Sequence, residues 1–275
     1  MRLFHKRTIS LLIGLTALGP TLTGCGIFGT GRGRGGGSYS SNARDNYERG
    51  LAELKAKSWA EAVRYFQFTR SKFSFSKWAT LAELRLADAE LGREHHSEAV
   101  EAYRTFIKDH PTHEMTQNGY AAYKIGEAFY EQIPGQWFLV PPGYEKDQGP
   151  AGDALRELQG FIAEYPDSPY VPEAKKRIDK CVRRLADHEL YVAHFYLNRN
   201  KPAAAIGRLE ALLREYPKSS IEPKVLLLLA QTYLKQSKPM EAQKVLERLV
   251  ADYPDDYHAK KAKLFLGHIA RRYGT

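Results

Sequence analysis

Cysteine is nearly absent: the 275 residues hold two, Cys25 and Cys181. If Cys25 is modified, no disulfide framework remains to staple the chain. Cys181 then reads as a lone, partly buried thiol on a helix, behaving as a small hydrophobe. Also missing are a Gly-rich phosphate loop after a strand, an HExxH pair, a nucleophile elbow and any strand-rich segment to position one. No Lys/Arg cluster marks a nucleic-acid footprint, although the formal net charge is +9. Arg2, Lys6 and Arg7 fall in a segment expected to be removed, which leaves about +6 on a chain with acids and bases interspersed. The expectations are no enzyme, no cofactor, no metal site and no nucleic-acid partner.

Residues 1–24 read as a signal peptide, with a basic start and an apolar run from Ile9 to Leu18 too short to span a bilayer. The run leads to Leu22-Thr23-Gly24-Cys25, which looks like a bacterial lipobox: a Leu, two small residues and the cysteine that receives diacylglycerol. Acyl chains on Cys25 would anchor the mature protein, each contributing about 0.8 kcal/mol per buried CH₂. No second apolar stretch approaches spanning length, so the chain is expected to be tethered and not to cross the membrane. Gly26, in place of Asp, follows the sorting pattern generally sent to the outer membrane. Residues 25–42 continue as a Gly- and Ser-rich leash carrying Arg32 and Arg34, which cannot bury a core.

What fills the remainder is a repeat. Glu164-Tyr165-Pro166-Asp167-Ser168 returns as Asp109-His110-Pro111-Thr112, Glu215-Tyr216-Pro217-Lys218-Ser219 and Asp252-Tyr253-Pro254-Asp255, with a degenerate copy at Lys72-Phe73-Ser74-Phe75-Ser76. Pro lacks an N–H and disfavours helical geometry in the residue before it, so each phrase ends a helix. The Asp or Ser that follows is placed to cap the next one. Twelve positions before each stop stands a small residue: Ala62, Ala99, Ala154, Ala205 and Ala242. Leading helices carry their own small residues at Gly50, Ala87, Gly126, Ala193 and Ala230, as antiparallel helix crossing requires.

The pattern predicts an all-α, tetratricopeptide-repeat superhelical solenoid of about five helix pairs with a C-terminal capping helix over Tyr257 to Tyr273. Residues 43–169 hold repeats 1–3; residues 170–275 hold a long connecting helix, repeats 4–5 and the cap. The steps between key alanines are 37, 55, 51 and 37, and two of them exceed the usual period of about 34 by well over the length of a turn. One extension is a loop at 133–150, rich in Pro and aromatics (Trp137, Phe138, Tyr144), expected to bind a partner or plug the stack. The other lengthens a helix from Val171 to about Glu189. Its Lys175, Lys176, Arg177, Lys180, Arg183 and Arg184 are expected to face water.

First helices line the concave side of such stacks. That projection places Tyr47, Asp88, Tyr120, Tyr123, Glu127 and Tyr130 there, either as a groove for an extended peptide or as rings packed between helices. His110 and His113 sit in a turn, where a cap or loop role suffices.

With lipobox, leash and unequal repeats together, the chain resembles the BamD family, tetratricopeptide lipoproteins of the bacterial β-barrel assembly machinery. The likeness runs from about Ala43 to Tyr253. It is carried by Phe106-Ile107 before His110-Pro111-Thr112-His113, by Lys146-Asp147 in the expanded third repeat, and by Leu190-Tyr191-Val192-Ala193. Ala205-Ile206-Gly207-Arg208-Leu209-Glu210, leading into Leu213-Arg214-Glu215-Tyr216-Pro217, completes it. The resemblance implies a lipid-anchored, non-enzymatic subunit on the periplasmic face of the outer membrane. It implies that the N-terminal repeats receive unfolded barrel precursors and that the C-terminal repeats dock the periplasmic domains of BamA, with Arg208 as a contact. A pilotin-like lipoprotein that helps assemble a secretin would favour regular repeats near 34, against the steps of 55 and 51. A cell-wall enzyme carrying repeats as an accessory would need a catalytic domain outside them.

Overall fold

A recurrent C-terminal cap separates the two helices of four pairs. The computed structural model describes residues 38–135 and 142–274, and residues 39–275 fall in one compact unit. Twelve α-helices run in order: α1 Ala43–Lys55, α2 Trp59–Lys72, α3 Lys77–Gly92, α4 His96–Asp109, α5 Glu114–Gln117, α6 Tyr120–Glu131, α7 Gly149–Glu164, α8 Val171–Asn198, α9 Pro202–Glu215, α10 Glu222–Lys235, α11 Pro239–Asp252 and α12 Tyr257–Tyr273. No strand occurs among the described residues. Consecutive helices pack antiparallel as tetratricopeptide-type pairs: α1/α2, α3/α4, α6/α7, α8/α9 and α10/α11, with α12 closing on the last.

Between first and second helices, Lys57, Glu94, Asn200 and Ser237 take left-handed backbone with φ of 54–63°. The next residue donates its N–H back across the turn: Ser58 to Glu53 O, His95 to Glu90 O, Lys201 to Tyr196 O and Lys238 to Tyr233 O, all at 2.9–3.0 Å. This is the Schellman arrangement, normally built on Gly, which satisfies carbonyls the helix leaves over. Second helices end as expected: His110, Tyr165, Tyr216 and Tyr253, each preceding a Pro, sit at φ near −130° and ψ near 60°.

The expected caps hold only in part. Ser76 and Asp256 do accept N–H bonds at the starts of α3 and α12, and His113 does the same for α5. Ser168 instead donates to Asn118 O at 2.6 Å, and Ser219 Oγ has no partner among the described residues; α8 and α10 carry Pro172 and Pro223 in their first turns, where a missing N–H needs no cap.

Four apolar clusters follow one another along the stack. Each key alanine is fully buried at a helix crossing. At Gly126 an added Cβ would lie 2.5 Å from Leu158 Cδ2 and 2.8 Å from its Cγ, so α6 and α7 approach as closely as their backbones allow.

The long segment differs from expectation. The connecting helix does not stop near Glu189 before a separate leading helix; both are the single 28-residue α8. After Pro172 no Gly or Pro interrupts it, and its buried positions never pause: Ala174, Cys181, Leu185, Ala186, Leu190 and Ala193. Its first half packs into the α6/α7 cluster and its second half into the α9–α12 cluster. Two of its six cations also leave solvent, as the next section describes. In α12, Leu264 is 68% exposed and not part of the packed face with Leu266 and Ile269.

Glycine at a left-handed cap relieves strain that every L side chain carries there, so Glu94→Gly should raise stability by about 1 kcal/mol. Overpacking at the tight crossing should make Gly126→Ala lose about 1–3 kcal/mol. Urea denaturation midpoints of the two variants should therefore move in opposite directions.

Candidate functional site

The first helices of the N-terminal pairs carry charged residues at spacings of three, which places acid and base side by side on one helix face. On α3, Arg85 Nη1 donates to Asp88 at 2.5 Å; on α6, Lys124 pairs with Glu127. Tyr hydroxyls tie these pairs to their neighbours. Tyr103 on α4 and Tyr120 on α6 donate to the same Asp88 oxygen at 2.6 and 2.8 Å, and Arg85 reaches the Tyr120 oxygen at 3.2 Å. The Tyr47 hydroxyl on α1 also favours the Arg85 charge. The Lys124 ammonium stands 5.8 Å from the centre of the Tyr120 ring, linking the two pairs. From α8, Arg177 donates to Glu127 at 2.5 Å and lies over the rings of Tyr123 and Tyr130 at 5.6 and 5.0 Å.

All six residues projected onto the concave side thus belong to one connected network across α1, α3, α6 and α8. Their exposure divides them. Tyr47 and Tyr123 are 6% and 5% exposed and act in packing, Tyr47 against Phe66 and Trp78 and Tyr123 against Phe161 and Tyr170. Glu127 is buried and Asp88 partly so, and both are partnered. Tyr120 and Tyr130 remain half-buried and offer ring surface.

Sequence reading missed the cations that organise the site. Arg85 and Lys124 were legible from their three-residue spacing to Asp88 and Glu127. Arg177 was not, since it sits in a run of bases expected to be solvated; only the fold brings α8 against α6. Arg184 is the second exception in that run: it donates to Gln148 Oε1 at 2.9 Å and Pro134 O at 3.1 Å. With His188 donating to Tyr144 O at 2.6 Å and the Tyr144 ring tilted against that of Tyr191, it fastens the described parts of the 133–150 loop along α8. Trp137, Phe138 and Pro141 lie outside the described residues, as does Cys25.

Burial sets the electrostatics. It works against the Arg85 charge, but Asp88 outweighs it and holds the guanidinium above its usual value. Tyr103 and Tyr120 are pushed up by burial and by Asp88. Burial and then Glu127 lift Tyr123 to about 12. Arg85 Nε and Arg177 Nε are buried without an acceptor among the described residues. Elsewhere, burial lifts Cys181 to about 11, as befits an inert thiol.

Arg208 lies apart, on α9, about half exposed and 3.3 Å from Glu189 of α8. Also unforeseen is Glu222 at the start of α10. It is 1% exposed, accepts from the Lys218 N–H and from Arg248, and helps push the Tyr253 hydroxyl up. Among the described residues no group of three or more His, Cys, Asp or Glu could hold a metal ion, and no helix is long and apolar enough to cross a membrane.

The family described as outer membrane lipoprotein, YfiO, matches residues 40–241, and a tetratricopeptide repeat family matches 227–274. The outer membrane protein assembly factor BamD of Caulobacter vibrioides is 28% identical over 185 residues. That alignment covers 67% of this chain but 57% of the Caulobacter protein, little more than half its length. The protein of the same name in Haemophilus influenzae is 25% identical over 197 residues, covering 70% of this chain and 73% of its own. Among solved structures, the TPR2AB domain of yeast Sti1 aligns over 83% of both chains at 12% identity, with a TM-score of 0.42.

Arg177→Met would leave Glu127 buried with Lys124 alone, and loss of one partner of a buried ion pair should cost about 3 kcal/mol or more. Arg208→Ala, a surface change, should stay within about 0.5 kcal/mol in the same denaturation assay. A second outcome concerns alkali. The unfolded chain releases Cys and Tyr protons from about pH 8.5 and 10. The fold retains that of Cys181 to about 11 and those of Tyr123, Tyr233 and Tyr253 to about 12. The native state thus binds more protons in this window, and stability should fall as pH rises through it. Denaturation midpoints that stay level from about pH 8 to 11 would contradict this.

Proposed function

The chain belongs to the outer membrane lipoprotein family YfiO, and from that premise we propose that it is a non-enzymatic scaffold in the assembly of outer-membrane β-barrel proteins. It is anchored through acylated Cys25 at the periplasmic face of the outer membrane. Its N-terminal repeats receive an extended segment of an unfolded barrel precursor, and its C-terminal repeats dock the periplasmic domains of BamA through a surface that includes Arg208. The names of the relatives, outer membrane protein assembly factors, support the general role.

The observation that carries the peptide-binding part is the connected network of Arg85, Asp88, Tyr120, Lys124, Glu127 and Arg177. Its ion pairs fix long side chains before any ligand arrives, which lowers the entropy lost on binding. The half-buried rings of Tyr120 and Tyr130 offer stacking surface to aromatic side chains of a precursor. Lys124, a quarter exposed, supplies N–H donors for main-chain carbonyls or a terminal carboxylate. A scaffold of this kind does no bond chemistry: it holds one client while the other half of the stack holds the insertion machinery.

Fluorescence anisotropy with a labelled C-terminal peptide of a barrel precursor tests the assignment. Tyr130→Ala should weaken peptide binding roughly 5–30-fold, the range of a contact worth 1–2 kcal/mol. Arg208→Glu should leave the peptide affinity unchanged and weaken binding of purified BamA periplasmic domains about tenfold or more. If Tyr130→Ala leaves the peptide affinity as it was, the groove assignment is wrong.

A further inference from the structure

Charge is divided unevenly along the chain. Residues 43–169 contain 15 Lys and Arg against 20 Asp and Glu, whereas residues 170–275 contain 21 against 12. The excess of base is sharpest in α12, where Lys260, Lys261, Lys263, Arg271 and Arg272 stand in a segment, 257–275, with no acidic residue. None of these five cations pairs with a carboxylate among the described residues. Their neighbours are instead aromatic rings or the imidazole of His268: Lys261 lies over Tyr257, Arg272 over Tyr273, and Arg271 contacts His268.

Four of the five cations, all but Lys263, share a face with apolar groups. At 100° per residue, Tyr257, Lys260, Lys261, Leu264, Arg271 and Arg272 fall within an arc of about 120°. The opposite side, with Ala259, Ala262 and Ile269, is buried against α10 and α11. Tyr257 and Leu264 are 62% and 68% exposed. At the C-terminal end of α12, a cleft of about 470 Å³ has Leu234, Phe265 and Ile269 at its base and Arg271 and Arg272 at its rim. An exposed helix face that is basic near both ends, without an acid, and also carries aromatic and aliphatic side chains has the composition of an interfacial membrane contact. Lys and Arg meet phosphate, while Tyr and Leu enter the boundary between head groups and chains.

We propose that the outer face of α12 rests on anionic phospholipid head groups, as a second membrane contact beside the acyl anchor. An anionic lipid surface is favoured as occupant because the cations stand near both ends of the helix with no acid among them, and because the chain's own lipobox would hold the protein at such a surface. Thirteen residues lie between Cys25 and Tyr39, a leash of at most about 50 Å. Tethering holds the lipid at high effective concentration, so a weak electrostatic contact suffices. The inference rests on the anchored reading and adds an orientation: the basic half of the stack faces the bilayer, and the acidic half with the tyrosine groove is turned away from it.

The test uses the mature acylated protein with Leu264→Cys, labelled with an environment-sensitive dye; Cys181 is buried and Cys25 is acylated. The protein is reconstituted in vesicles of phosphatidylcholine with or without phosphatidylglycerol. A blue shift should occur only with phosphatidylglycerol and reverse at high salt. It should also be lost when Lys260, Lys261 and Arg272 are all changed to Gln, three exposed substitutions whose folding is checked by circular dichroism. Identical spectra in both vesicles would overturn the proposal. So would a shift that appears only on adding purified BamA periplasmic domains, which would mark an acidic protein surface as the occupant. A shift that follows protein density and not lipid charge would do the same in favour of a second copy. Flotation with neutral vesicles reports the acyl anchor separately, so a failed anchor and a failed α12 contact give different results.

Discussion

The arrangement of the candidate site depends on one buried carboxylate. Glu127 on α6 is held from its own helix by Lys124 and from α8 by Arg177, and Arg177 in turn covers the rings of Tyr123 and Tyr130. Without a partner from α8, an acid this buried would carry a large desolvation cost. The pair therefore fixes where α8 lies against the third repeat. Because α8 is one unbroken helix, the same contact fixes the register between the groove side of the stack and the pair α8/α9, where Arg208 sits.

Repeat proteins are close to one-dimensional, each unit touching mainly its neighbours. Here α8 breaks that locality, joining two apolar clusters and clasping the described ends of the 133–150 loop through Arg184 and His188. A scaffold that must hold a client at one half and a partner at the other gains from such a member, since both sites then refer to one rigid element. The uneven repeat steps are the cost of building it.

Much of this was legible in the sequence, for reasons that can be named. Helix ends were readable because Pro acts on the residue before it whatever the tertiary surroundings, and His110, Tyr165, Tyr216 and Tyr253 all left helical geometry as a result. Helix crossings were readable because only Ala or Gly fits them. The four left-handed caps at Lys57, Glu94, Asn200 and Ser237 were not, since the residues used there are not the Gly that the geometry prefers. Continuity of α8 escaped because a repeat template inserts a turn where the sequence has none. In the site, the six projected residues do meet in one network, but the sequence could not say which rings pack and which stay open. That is decided by contacts from other helices, Phe66 and Trp78 on Tyr47 and Phe161 and Tyr170 on Tyr123, and the role of Arg177 likewise comes from a helix about 50 positions away and not from any local spacing. Glu222, buried under Arg248 and Tyr253, escaped for the same reason.

The central claim is a division of labour along one rigid stack, with the client at the tyrosine groove and the insertion machinery near Arg208. Site-specific photo-crosslinking in intact cells tests it most directly. A photoreactive residue at position 130 should capture unfolded barrel precursors and not BamA, and one at position 208 should capture BamA and not precursors. Capture of both partners at both positions, or of precursors at 208 alone, would contradict the account.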